Sequence, residues 1–395
     1  MNKRLFRMFV LLGLAVSFLG HSAQSHAQGN FHIGALEVHP LGGLSETYDS
    51  NVYLENSNEK EDWITDVAIG ANVSMPLNAQ RGEDTKLAAT YKVDFLRFAD
   101  QNELSRTDHR FNGILGAAFA NNWAIRFEND FLRTAEPPDN ELVGLYKRFY
   151  NLFNATVAYN REKIRFENGY SLRTDTYDRL SYLNRNDHRY TGVIFYELYP
   201  KTSALLEWNI GRILYKRQTH NSDSKYYQVR IGFEGRYWPK TTGTIKMGYK
   251  AAEYDQANKD NFSGFTIFAN LRYDISLRTS LNLYAERSSE ESSYNTNSYY
   301  ELNRIGFDIE HLLMQRLTLH FGPYLEYNRY PTETTENGKT DKRRDTITAV
   351  GTGLSYEAKD YLTLNLDYDY KVRDSVFETF DYDDHNVSLG ARLLF

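Results

Sequence analysis

From Val38 onward the chain alternates apolar and polar residues over segments of about ten positions, with polar stretches between them. Tyr227, Val229, Ile231, Phe233 and Tyr237 take one parity; Gln228, Arg230, Glu234 and Arg236 take the other. Leu362, Leu364, Leu366, Tyr368 and Tyr370 stand opposite Thr363, Asn365, Asp367 and Asp369. Ile125, Phe127 and Phe131 oppose Arg126, Glu128 and Asp130, and Ile305, Phe307 and Ile309 oppose Arg304, Asp308 and Glu310. Successive side chains of a strand point to opposite faces, so each segment reads as a strand with one apolar and one charged face. The pattern gives strands of about 10–15 residues. Soluble strands usually run about 5–6 residues, whereas a tilted strand crossing a bilayer needs about 9–11.

The connections follow a second rule. Long polar stretches fall at 50–62, 100–107, 135–145, 177–187, 218–224, 255–261, 288–297, 330–344 and 373–384. Short ones alternate with them at 78–83, 121–122, 160–162, 200–201, 239–240, 276–278, 314–316 and 358–360. Nine long and eight short connections join eighteen strands. Lipid cannot satisfy an open sheet edge, so membrane-crossing strands must close on themselves. The expected fold is all-β: a closed antiparallel transmembrane β-barrel of 18 strands, or 16 if one weak strand drops out. Short turns are expected on the periplasmic side and longer loops outside. Facing is least defined for the strands near 38–48 and 345–356.

The N-terminus adds a compartment. Lys3, Arg4 and Arg7 precede an apolar run, Met8 to Leu19, which ends before the small-x-small site Ser25-His26-Ala27. These are the three parts of a secretory signal peptide. The expected organisation is a signal peptide at 1–27, a short periplasmic segment at 28–37 and the barrel at 38–395. The chain has no Cys, which excludes disulfides, a thiolate metal site and lipid attachment after the leader. A net charge of −6 without a basic patch argues against nucleic acid.

Aromatic residues make up 15% of the chain. Trp208, Tyr215, Trp238, Tyr249 and Tyr273 read as an interfacial girdle. By parity Phe195, Phe268, Tyr284 and Tyr324 point inward, where aromatic faces can stack on sugar rings; packing is the simpler account. Six of the barrel's seven His residues (His109, His188, His220, His311, His320 and His385) lie beyond its first strand, and they come without a Ser signature, a zinc-binding H-E-x-x-H or an EF-hand loop. Asp381, Asp383 and Asp384 read as a solvated loop cluster. No enzyme, cofactor or metal site is expected.

Eighteen strands about 4.8 Å apart and tilted by about 40° enclose a backbone diameter of roughly 35 Å. The candidate lumen-lining residues are Arg126, Glu128, Asp130, Arg165, Glu167, Arg230, Glu234, Arg236, Arg304, Asp308, Glu310, Asp367 and Asp369. Neither sign dominates, which suits a weakly charged polar solute. No loop exceeds about fifteen residues, which favours a wide bore with no constriction.

The last strand places Val387, Leu389, Ala391, Leu393 and Phe395 on the lipid side. Ser388, Gly390, Leu393 and the terminal Phe395 resemble the signal read by the barrel-assembly machinery, which works by strand addition. At the other end, Tyr48-Asp49-Ser50-Asn51-Val52-Tyr53 is followed by Asp62-Trp63-Ile64-Thr65. This resembles the putative β-barrel porin type 2 family, although Ile69-Gly70 stands where the family has Pro-Gly. The resemblance implies an outer-membrane pore of a Gram-negative bacterium, often encoded beside exopolysaccharide or capsule export systems. The primary expectation is therefore an export conduit with periplasmic export components and polysaccharide as partners, besides outer-membrane lipid. The alternative is a diffusion porin or uptake channel for small polar solutes, and a weaker one is a non-conducting structural or adhesive barrel.

Overall fold

Long β-ladders carry almost all the order in the computed structural model of the protein, which describes residues 31–77, 86–119, 122–217, 221–294 and 296–395. The leader expected at 1–27 and the turn expected at 78–83 lie outside them, as does His220. The strands are β1 (Phe31–Ile33), β2 (Leu36–Asp49), β3 (Asp62–Pro76), β4 (Lys86–Phe98), β5 (Arg106–Ala118), β6 (Trp123–Thr134), β7 (Arg148–Arg161), β8 (Ile164–Tyr177) and β9 (Arg185–Tyr199). They continue with β10 (Thr202–Tyr215), β11 (Ser224–Trp238), β12 (Thr241–Tyr254), β13 (Phe262–Ser276), β14 (Thr279–Glu291), β15 (Tyr299–Met314), β16 (Leu317–Glu336), β17 (Lys339–Lys359), β18 (Leu362–Ser375) and β19 (Tyr382–Leu394).

Each strand from β2 to β19 pairs antiparallel with its neighbours in the chain. The ring closes where β19 meets β2, with Val387 opposite Tyr48 and Leu393 opposite Gly42. The eighteen strands thus leave no open edge, while the short β1 only folds back on the start of β2. Pairing also fixes which face is which. The outward rows stay exposed although they are apolar: Val229 at 52%, Ile231 at 60% and Ile305 at 62%. A soluble sandwich buries such rows; a barrel in lipid needs them outside. A thirteen-residue strand such as β4 is about 43 Å long and, tilted by about 40°, rises about 33 Å, enough to cross a hydrocarbon core.

The two strands of undefined facing resolve in register. On β2, Asp49, Thr47 and Ser45 share the inner face with Asn386, Ser388 and Gly390. On β17, Ile347, Ala349, Gly351 and Gly353 face inward beside Arg373, Lys371, Asp369 and Asp367.

Three sequence expectations need correction. The stretch 330–344 is not a loop: β16 and β17 run on as a paired hairpin, with Thr335 opposite Thr340 and only Asn337-Gly338 as the turn. Both turn residues have positive φ, 49° and 79°, which matches the strand twist of a tight hairpin. Tyr215 is not a girdle residue. It points inward, and its hydroxyl donates to Glu291 Oε2 at 2.9 Å. Trp208 lies outside but mid-strand, opposite Gly192. Its ring covers the glycine, where a Cβ would collide with it.

Candidate functional site

The segment between β6 and β7 leaves the wall and enters the bore. Its base is closed by the Tyr146 N–H donating to the Ala135 carbonyl (3.1 Å) and by Arg148 Nε donating to the Glu136 carbonyl (3.1 Å). Pro137-Pro138 stiffens the outgoing limb. Asp139 Oδ1 then accepts from the N–H groups of Glu141 (2.9 Å) and Leu142 (3.1 Å), the Asx turn that folds the tip.

The tip docks across the barrel. β16 stands nine strands from β7 in a ring of eighteen, so the loop spans a diameter. Asn140 Nδ2 donates to Glu326 Oε2 (2.9 Å) and to the Tyr324 hydroxyl (3.4 Å), both on β16. Lys371 Nζ on β18 donates to Asn140 Oδ1 (3.2 Å), and Arg373 Nη1 donates to the carbonyls of Asn140 (2.8 Å) and Glu141 (3.4 Å). The Glu141 carboxylate receives the Ser292 hydroxyl (2.5 Å), the Ser293 hydroxyl (2.7 Å) and the Ser293 N–H (2.5 Å). Burial, and then the charge of Asp139, push the Glu141 carboxyl above its ordinary value; burial does the same to Asp139.

The far side also leans inward. β13 and β14 are paired from Ile267 opposite Arg287 down to Ser276 opposite Thr279, so the upper end of β14 parts from β13. There Glu291 accepts from the hydroxyls of Tyr215 and Tyr254 (2.9 and 2.7 Å), within an aromatic cluster of Tyr215, Tyr226, Tyr254, Phe262 and Tyr299. Above it, Arg343 is held by Asp345 (2.6 Å) and lies 3.8 Å from the centre of the Phe380 ring. The expectation of an unobstructed bore is therefore wrong: a loop of ordinary length, meeting an inward-leaning hairpin, is enough to narrow it.

Two cavities remain beside the bridge, of about 770 and 1110 Å³. Both are lined by Asn282, Tyr284, Asp308, Tyr324, Lys371 and Asp384, so they form one path. Carboxylates are concentrated on one side of it, with Arg272, Arg304 and Lys371 also in the lining. Asp308, Glu310, Asp367, Asp369, Asp384 and Asp49 line one side. Among the described residues Asp308, Asp367 and Asp369 have no ion-pair partner, and Asp367 Oδ1 lies over Gly353, where the missing side chain gives it room. Across the bore the charges are mated. Arg165 holds Glu167 (3.0 Å) and Glu234 (2.5 Å), Lys246 holds Glu207 (2.8 Å) and Arg230 binds Glu207 as well. Arg173, Arg185, Arg189 and Lys250 stand there among Asp187, Glu286, Glu290 and Glu291, and Arg173 and Arg185 pair with Asp175 (2.8 and 3.6 Å).

The remaining predicted residues fall as follows. Arg126 pairs with Glu128 (2.6 Å) on β6, and Asp130 accepts from Asn112. Arg236 lies at the short-turn end of β11, where its carbonyl accepts from Thr202. Arg304 binds Glu326 (2.5 Å) directly under the loop tip, and Glu310 lies 3.9 Å from His320. Ser388 accepts the Thr47 hydroxyl (3.0 Å) across the closing seam; Gly390 lines the lumen beside Arg392; Leu393 pairs with Leu362; Phe395 stacks on Tyr361 at 5.6 Å. Asp384 belongs to β19 and faces inward, not to a loop. Of the four inward aromatics, Tyr284 and Tyr324 border both cavities and Phe268 one of them, while Phe195 packs under Arg165. Among the described residues no three His, Asp or Glu side chains are grouped to hold a metal. Sequence reasoning missed Asn140, Glu141, Glu326, Lys371 and Arg373. The one local signal was Pro137-Pro138-Asp139-Asn140, a turn cluster in the middle of a loop.

The sequence profile of the putative beta-barrel porin 2 family matches residues 27–395. The chain belongs to that family. The porin is thus an outer-membrane β-barrel of a Gram-negative bacterium, its long loops outside and its short turns in the periplasm. Solved barrels resemble it in fold. OccK3 (OpdO) of Pseudomonas aeruginosa aligns with a TM-score of 0.50 at 10% identity, over 91% of this chain and 96% of its own. OpdK of the same organism gives 0.49 at 10%, over 91% and 99%, and OccK2 (OpdF), solved with glucuronate, 0.49 at 9%, over 94% and 99%. No curated protein matches the porin.

Proposed function

We propose that this porin is a passive, non-enzymatic channel for small polar solutes. The loop from Ala135 to Lys147 carries the reading: it is fastened at both ends of a diameter, so a solute must pass beside it. The remaining path is lined by Asn270, Asn282, Tyr284 and carboxylates, which can exchange hydrogen bonds with a hydrated solute as it sheds water. A long polymer chain needs a continuous wide track, so export of an exopolysaccharide or capsule chain is the second reading, resting on the family resemblance. Assembly through the C-terminal strand by the barrel-assembly machinery belongs to the same proposal.

The test is reconstitution. In planar bilayers, replacing 137–145 with a short Gly-Ser link is expected to raise single-channel conductance severalfold, and in swelling assays the native porin passes mono- and disaccharides but not long oligosaccharides. Loss of surface polysaccharide from a strain lacking the gene, with unchanged small-solute permeability, would overturn the proposal in favour of export.

A further inference from the structure

The outer face of β4 to β7 is unusual in its charges. Register and exposure place Arg97 on β4, His109 on β5 and Arg133 on β6 in the outward rows, all near the extracellular rim. His109 lies directly opposite Arg133, and its Nδ1 shares a hydrogen bond of 2.8 Å with the Tyr91 hydroxyl. Lys147, just before β7, is exposed beside them. The outward rows of these four strands contain no carboxylate. Among the described residues Arg97 and Arg133 make no ion pair; Arg97 donates only to the carbonyls of Leu96 and Arg106.

Several outward cations elsewhere at this height are matched. Arg212 pairs with Asp255 (3.4 Å) and Arg287 with Glu301 (3.0 Å). Lys225 faces Glu253, and Arg329 faces Glu301. An uncompensated cation at the edge of the hydrocarbon is costly unless the membrane supplies its counter-charge. Below the patch the same face is apolar and exposed, with Leu115, Phe127 and Val157, a surface for acyl chains.

We infer that Arg97, His109, Arg133 and Lys147 form a binding site for the phosphate-bearing headgroup of an outer-leaflet lipid, whose chains lie along β4 to β7. Guanidinium and ammonium groups supply charge-assisted donors to the phosphate oxygens. The inference is independent of what crosses the bore.

Native mass spectrometry of the full-length porin, titrated in detergent with phosphatidic acid or phosphatidylcholine, tests it. Phosphatidic acid is expected to bind more tightly than phosphatidylcholine. The double variant Arg97→Gln/Arg133→Gln is expected to lose roughly thirtyfold in affinity for it, since each cation near an anionic lipid surface accounts for about fivefold. Arg212→Gln, whose arginine already has Asp255, is expected to keep it. Arg97→Lys/Arg133→Lys retains the charge and is expected to keep binding, which separates loss of charge from loss of fold. Undiminished binding by the Gln variant overturns the inference. So does equal binding of phosphatidylcholine, or displacement of the lipid by inorganic phosphate, which would mark a site for free anions.

Discussion

Asn140 is the residue on which the constriction turns. Its amide takes part in three hydrogen bonds on the opposite wall, to Glu326, Tyr324 and Lys371. Asn140→Ala removes them: Glu326 stays bonded to Arg304 and Asn328, while Lys371 loses the one hydrogen bond it makes among the described residues. Docking is expected to weaken by about 2 kcal/mol, with a higher and noisier single-channel current and an unchanged melting temperature. A current trace identical to the native one would contradict this. Glu141 adds a pH dependence. Burial raises its carboxyl pKa in the docked loop, so the docked state holds the proton more tightly than the released state. Docking is therefore strongest below the ordinary carboxyl value of about 4.5 and weakens as pH climbs through the raised value. Current noise is expected to grow as pH rises through that raised value. Glu141→Gln keeps an acceptor for Ser292 and Ser293 but cannot titrate, and should flatten that profile; an unchanged profile would point to another group.

At the scale of elements, most of the barrel was legible and its exceptions are instructive. Alternation marks a strand only where one face meets lipid. It located the membrane-level parts of β11, β15 and β18 and the alternation of long and short connections. It failed for 330–344, where the hairpin of β16 and β17 stands in water and both faces are polar, as in Thr334, Thr335, Thr340 and Asp341. Only Asn337-Gly338 announced that turn. The bridging loop was invisible for a different reason: its partners are distant, with Asn140 and Tyr324 184 positions apart, and no local pattern encodes such a meeting. The extended hairpin supports the loop after β14 through Thr296 with Thr334, Asn297 with Thr332 and Tyr294 with Glu336. Shortening 332–342 to an Asn-Gly turn leaves the pairing of 317–329 with 344–356 intact. The barrel is expected to assemble normally, with its heat-shifted band on gels. The segment 292–298 should become open to limited proteolysis, and resistance there would show that the hairpin does not brace it.

On the scale of the whole molecule, closing a sheet brings distant strands together, and charges that alternate along the sequence become sorted in space. β15, β18 and β19 bring Asp308, Asp367, Asp369 and Asp384 to one side of the path, while β8 to β12 put Arg173, Arg185, Arg189 and Lys250 on another, interleaved with Asp187 and carboxylates of β14. The chain's modest net charge of −6 conceals this grouping. The unpaired carboxylates on the first side are expected to bias the permeant ion toward cations. Asp308→Asn/Asp367→Asn/Asp369→Asn removes three charges from one wall and breaks no ion pair among the described residues. Under a salt gradient the reversal potential of the triple variant is expected to move toward that of an anion-preferring pore. The shift should be large near 0.1 M salt, where screening reaches about 10 Å, and small near 1 M, where it reaches about 3 Å and no longer spans the path. A reversal potential equal to the native value at the lower salt would mean that the acidic side of the bore has no part in selection.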